Sequence, residues 1–205
     1  PIGAELLRRI ARDRFPAVLI NQESGEAIPQ VVCDDAAGAE MAVARLAAAG
    51  HARLACVHSP HRQPHYSMRE RVAGFLAACR RRGLAGEERS VETTAFVAAW
   101  RREDRRCRPT GVLCYNFSDA LELVAAIEGC GLAVPGSLSL VSGDDIPALA
   151  LMRPAMSAVQ VPMAEMARQA VALLCAQIEG QAAMAGTVLR VPPAFADRGT
   201  VAPPP

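Results

Sequence analysis

Residues 110–147 read TGVLCYNFSDALELVAAIEGCGLAVPGSLSLVSGDDIP. An apolar run from Gly111 to Tyr115 ends at Asn116. A helical segment follows from Ser118 to Glu128, then a break at Gly131, Pro135 and Gly136. A second apolar run from Leu138 to Ser142 ends in Gly143-Asp144-Asp145-Ile146-Pro147. Short continuous apolar runs bounded by turn residues are buried strands, and a helix between two of them makes one strand-helix-strand unit of a parallel sheet. Ligands of such sheets bind beyond the carboxyl ends of the strands. Asn116 and Asp144 sit at those ends and are the first candidates for ligand contact.

The pattern extends in both directions. Glu5 to Arg14 predicts a short amphipathic helix with Leu6, Leu7 and Ile10 on its apolar side; Ala17 to Ile20 and Val31 to Cys33 predict strands. Asp34 and Asp35 precede a helix from about Ala36 to Ala49. Aspartates there either cap the first turn or reach a ligand. Arg53 to His58 is the next strand. The loop 59–66 contains two prolines, and His58, His61 and His65 lie in or beside it. Without a carboxylate or cysteine near them in sequence, they read as solvated or ligand-lining residues rather than a metal cluster.

A helix opens at Ser67 with Val72, Phe75, Leu76 and Cys79 at helical spacing and ends in Arg80-Arg81-Arg82, where positive charge suits a helix terminus. Arg71 lies on the flank of that stripe, just after a loop, where it can reach across the carboxyl edge of the sheet. Residues 87–109 carry Trp100 and mixed charges (Arg101-Arg102-Glu103-Asp104-Arg105-Arg106), the pattern of an exposed helix laced with ion pairs. Residues 150–158 read as irregular and Val159 to Val161 as a short strand. A helix from Pro162 has a core stripe of Met163, Met166, Ala167, Ala170, Val171, Leu174 and Ile178. Val188 to Val191 is a last strand, and Pro192 to Pro205 reads as extended and frayed. The alternation predicts an α/β fold with mostly parallel sheet.

Composition narrows the function. The chain has 205 residues and net charge +1, with 22 basic residues that are all arginine, so no overall field favours nucleic acid. Seven scattered cysteines without a C-x-x-C pair read as reduced thiols. No apolar run approaches the ~20 residues of a membrane span, and the expected location is cytoplasmic. No catalytic signature such as G-x-S-x-G, a P-loop or G-x-G-x-x-G is present. The chain is therefore not expected to be an enzyme, and neither a cofactor nor a metal is expected.

Several stretches in order resemble one family, the LacI/GalR-type bacterial regulators typified by the lactose, galactose and purine repressors. They are FPAVLIN (15–21), AVARLAAAGHARLACV (42–57), RERVAGFLAACRRRGL (69–84), PTGVLCYN (109–116), GCGLAVPGSLSLVSGDDIP (129–147), RPAMSAVQVPMAEMARQAVALL (153–174) and VLRVPPAFADRGT (188–200). The resemblance implies a periplasmic-binding-protein-like type I effector domain: two Rossmann-like parallel-sheet subdomains closing on a small ligand, the N-terminal one incomplete. It implies residues 1–59 and 160–187 in the N-terminal subdomain, 60–159 and 188–200 in the C-terminal one, and 201–205 as a tail. Chain crossovers are then expected near the His/Pro loop, near 158–160 and just before Val188.

By the same resemblance Arg71 matches an arginine that holds ligand hydroxyls, Asp144 an aspartate that accepts from sugar hydroxyls, and Asn116 an amide beside them. Phe117 stands where the family commonly has aspartate, and Gly143 where it has a larger residue, which is expected to open space. With Asp35 and His65 these complete the expected effector site. The implied partners are a sugar-like effector, a second copy of the chain through 119–128 and 146–152, and operator DNA only through an N-terminal headpiece absent from this sequence. The early strands are expected to leave an exposed sheet edge. The alternatives are a periplasmic solute-binding protein of a transporter, and a small enzyme pairing Asp144 or Asp145 with a loop histidine.

Overall fold

A computed structural model describes residues 2–61, 65–180 and 186–205. The described chain contains helices α1 (Ala4–Arg12), α2 (Asp35–Ala48), α3 (Tyr66–Arg81), α4 (Thr93–Arg102), α5 (Phe117–Glu128), α6 (Pro147–Leu151) and α7 (Met163–Ile178). Its strands are β1 (Leu19–Ile20), β2 (Gln30–Cys33), β3 (Arg53–His58), β4 (Ala85–Ser90), β5 (Gly111–Cys114), β6 (Ser139–Ser142), β7 (Ser157–Gln160), β8 (Val188–Val191) and β9 (Ala194–Ala196). The expected α/β class with mostly parallel sheet is what the chain adopts.

The chain divides into two compact units, 1–34 with 162–193 and 35–161 with 194–205. This differs from the expected division. Residues 35–59 belong to the second unit because β3 pairs with β5, and 188–193 belong to the first because β8 pairs in parallel with β2. The expected crossovers at the His/Pro loop and before Val188 fall partly on 62–64 and 181–185, outside the described residues.

In the first unit, β1, β2 and β8 form a three-stranded parallel sheet in that order. Gln177 ties α7 to it, accepting from the Ala17 N–H at 3.2 Å and donating to the Ala17 carbonyl at 3.1 Å. The expected core stripe of α7 is wider than the surface it covers. Met166 and Ala170, one turn apart, are buried, whereas Met163, Val171 and Ile178 are exposed. The outer strands β1 and β8 expose Ile20 and Val188.

In the second unit, six strands run in the order β4-β3-β5-β6-β7-β9, all parallel except the β7–β9 pair. Alternate residues of the central strands feed two cores, as the two-residue repeat of a strand requires. Ala55, Val57, Val112, Cys114, Leu140 and Ala158 pack with α4 and α5. Leu54, Cys56, Leu113, Val141 and Val159 pack with α2 and α3. Burial on both faces is why β5 and β6 read as unbroken apolar runs.

Three other expectations change. Residues 150 and 151, expected to be irregular, end the short helix α6, which has Pro147 at its start and Leu149 buried. The start of the strand after it moves from Val159 to Ser157. The segment after Pro192 is not frayed. It supplies β9, and Thr200 and Val201 are buried. His51 pins it further, with Nε2–H donating to the Ala202 carbonyl at 2.9 Å and Nδ1 accepting from the Thr110 hydroxyl at 2.8 Å. Burial lowers the His51 pKa, so the ring is neutral.

Candidate functional site at the carboxyl edge of the second sheet

All six residues expected to form the effector site lie in the second unit, near the carboxyl ends of β3, β5 and β6. Helices α2 and α3 touch along Gly74 and Ala36, where a Cβ on Gly74 would fall 2.7 Å from the Ala36 Cα. That approach places Arg71, nearly one turn before Gly74, against Asp35, the residue before Ala36. Arg71 Nε donates to Asp35 Oδ1 at 2.7 Å.

The Arg71 fork then crosses the sheet edge. Its Nη1 donates to the Tyr115 carbonyl at the end of β5 at 2.5 Å, and the guanidinium carbon lies 5.2 Å from the centroid of the Tyr115 ring. Among the described residues Nη2 has no hydrogen-bond partner. Arg71 is 8% exposed and Asp35 2%. Burial pushes the Asp35 carboxyl up from its ordinary range, further than Arg71 pulls it down, and its second oxygen is buried without a hydrogen-bond partner among the described residues. Burial also works against the Arg71 charge, but Asp35, Asp144 and Tyr115 together outweigh it and hold the guanidinium charged.

Asn116 and Asp144 both serve the first turn of α5, whose amides have no intrahelical acceptor. Asn116 Oδ1 accepts from the Asp119 N–H at 2.9 Å, and Asp144 Oδ1 from the Phe117 N–H at 2.5 Å. The Ser142 hydroxyl donates to the Asp144 carbonyl at 2.7 Å and fixes the loop after β6. The half-buried Phe117 side chain packs against the core shared by α4 and α5. His65 caps α3, its Nδ1 lying 3.3 Å from the Ser67 amide and 2.7 Å from the Ser67 hydroxyl. That hydroxyl is 3.0 Å from the Tyr115 hydroxyl. The fold thus links Asp35, Arg71, Tyr115, Ser67 and His65 through direct contacts, with Asn116, Phe117 and Asp144 joined through the start of α5.

Gly143 does not open space for a ligand. A Cβ there would lie 2.2 Å from the Tyr115 carbonyl oxygen and 2.8 Å from that of Cys114, so the small residue is what lets β5 and β6 end side by side. Two other expectations about neighbouring side chains also change. His58 and His61 have carboxylates near them after all, contributed by distant residues: Glu88 at 2.8 Å from His58 and Glu92 at 3.6 Å from His61. Asp145 is occupied by Arg198 at 2.6 Å and Gln160 at 3.0 Å, which removes it from an acid/base pair with the loop histidines. Tyr115 and Ser67 were not singled out as site residues. Their signal was position, Tyr115 directly before Asn116 at a strand end and Ser67 at a helix start.

The model of the periplasmic binding protein-like domain matches residues 43–201. The transcriptional repressor CytR of Escherichia coli K12 is 30% identical over 187 residues, covering 87% of this chain and 54% of CytR. The chain spans about half the length of the curated relatives it matches. Among solved structures, a LacI transcriptional regulator from a Rhodococcus species is 27% identical and superposes with a TM-score of 0.82 over 98% of this chain and 75% of that one. A LacI family regulator from Enterococcus faecalis V583 with bound ribose also reaches 0.82, over 98% and 74%; at 18% identity that likeness establishes the fold alone. The curated relatives are transcriptional regulators rather than transporter binding proteins. This chain belongs to the periplasmic binding protein-like domain family and is homologous to transcriptional regulators of the LacI type.

Proposed function

We propose that the chain is the effector-binding and dimerisation part of a cytoplasmic LacI-type transcriptional regulator, with a sugar or related polyhydroxy metabolite as its effector. The observation that carries this reading is the buried Arg71 guanidinium, neutralised by Asp35 and anchored to the Tyr115 carbonyl at the strand ends, with Nη2 uncommitted among the described residues. A charge already balanced by a carboxylate suits neutral hydroxyls better than an anion, and the planar fork suits vicinal oxygens. The Asp144 carboxylate and the Asn116 amide supply acceptors on the same wall. Ribose is the ligand of the E. faecalis protein, a compound of the proposed class. Operator contact would fall to a separate helix-turn-helix headpiece, and the seven scattered cysteines agree with a reducing compartment. No described helix is long and apolar enough to cross a membrane.

The proposed dimer surface is narrower than the whole of 119–128 and 146–152. Leu123, Val124 and Ile127 of α5, and Leu149 of α6, are covered within the chain itself, whereas Leu151 is 76% exposed. Leu151 is therefore the side chain most in need of a partner, and Leu151→Glu is expected to shift light scattering towards monomer. Effector binding is tested by calorimetry with a panel of pentoses, hexoses and nucleosides on the wild-type chain and on Asp144→Ala. The expected result is saturable binding of one sugar class, at least tenfold weaker in the variant. Equal affinity in both would remove Asp144 from the site.

A further inference from the structure

At the opposite, amino edge of the same sheet lies a cavity of about 330 Å³ lined by none of the expected effector-site residues. Trp100, Arg101, Arg105, Arg108, Thr110 and Ser137 line it, with Leu132, Gly136 and Pro205 completing its wall. The four residues of β5 separate it from the effector crevice, roughly 13 Å along the strand. Trp100 is buried and held by its indole N–H, which donates to the Pro109 carbonyl at 2.7 Å. The Arg108 guanidinium lies over that ring, 3.8 Å from its centroid, a stacking that orders the side chain before any ligand arrives.

What distinguishes this cavity is an excess of positive charge with no direct ion pair. Among the described residues no carboxylate lies within ion-pair distance of Arg101, Arg105 or Arg108. The acids of the same segment are engaged elsewhere. Glu103 receives two hydrogen bonds from Arg89, at 2.5 and 3.0 Å, and Asp104 accepts from the Arg106 N–H at 2.7 Å. Burial and repulsion by Arg105 push the Arg108 guanidinium down, with Glu103 opposing more weakly. The Ser137 hydroxyl accepts from the Ala133 N–H at 3.3 Å, which leaves its own proton to donate. The volume sits at the small end of the ~300–1,000 Å³ range of small-molecule pockets.

We infer that this cavity is a second ligand site, for a compact phosphate-bearing metabolite such as a diphosphate or a sugar phosphate. Three arginines line a space of suitable size, and the arginine fork matches phosphate oxygens in pairs. A phosphoryl group concentrates its charge on one compact centre, whereas a carboxylate metabolite of equal charge spreads it over separate groups. The site is independent of the effector crevice and stands or falls separately from it.

The test is calorimetry at fixed ionic strength with inorganic pyrophosphate as probe, followed by ribose 5-phosphate against ribose. Saturable one-to-one binding of pyrophosphate and of ribose 5-phosphate is expected. Arg101→Ala/Arg105→Ala should weaken both at least tenfold with an unchanged circular dichroism spectrum, because both side chains are exposed. Single Arg105→Ala should show a smaller loss in the same direction, and Asp144→Ala should leave both affinities as they are. The inference is overturned if no saturable binding is seen up to about 1 mM, if the double variant binds as tightly as wild type, or if Asp144→Ala abolishes binding.

Discussion

The two edges of the six-stranded sheet hold arginine in opposite circumstances. At the carboxyl edge Arg71 is buried, paired with Asp35 and stacked near Tyr115. At the amino edge Arg101, Arg105 and Arg108 line a cavity with no carboxylate within ion-pair distance among the described residues. A paired guanidinium offers geometry with little net charge, and unpaired ones offer net charge. One sheet therefore presents two sites of different ligand chemistry, selected by where the carboxylates fall.

The largest effect comes from giving the carboxyl edge the character of the amino edge. Asp35→Ala leaves Arg71 charged and buried, and chemical denaturation should show a loss of about 3–5 kcal/mol. The double variant Asp35→Leu/Arg71→Met should recover most of it, because the pair's mutual attraction largely offsets its own desolvation. Full additivity of the two single losses would mean that the two groups are not coupled. Gly143→Ala forces the β6 end away from the Tyr115 carbonyl and should cost about 1–3 kcal/mol, with weaker sugar binding measured alongside.

At the amino edge the expected effects are smaller. His51 has a lowered pKa in the fold, so the unfolded chain takes up the proton first. Its contribution is present above the unfolded value of about 6.5 and is lost as pH falls below it, so stability measured between pH 7 and pH 5 should decline, and His51→Gln should flatten that slope. Smallest of all, Arg105→Ala should change stability by no more than about 0.5 kcal/mol, since no partner is lost. A marked destabilisation would show that Arg105 has a structural partner and would blur the contrast between the edges.

Much of this was legible in the sequence, and the misses share a cause. Strands β3, β5 and β6 are buried on both faces and announce themselves as apolar runs. The edge strand β4, Ala-Gly-Glu-Glu-Arg-Ser, has only exposed and half-buried residues and carries no such signal. β9 is three residues long and takes its identity from pairing with β7. At the site, chain position located Arg71, Asn116 and Asp144 at strand ends and helix starts. It did not reveal that Arg71 meets Asp35, a pairing 36 residues apart that depends on the close approach of Gly74 to Ala36. Gly143 was misread for the same reason: a missing side chain reads as space until the neighbouring strand is in place.

Trp100 is the single tryptophan of the chain, and it lies at the amino edge beneath Arg108. Its fluorescence therefore reports on that edge alone. An anion that draws Arg108 off the indole face changes the surroundings of the only strong emitter, whereas a sugar at the other end of β5 leaves it undisturbed. The molecule carries its own optical label for distinguishing the two sites without modification.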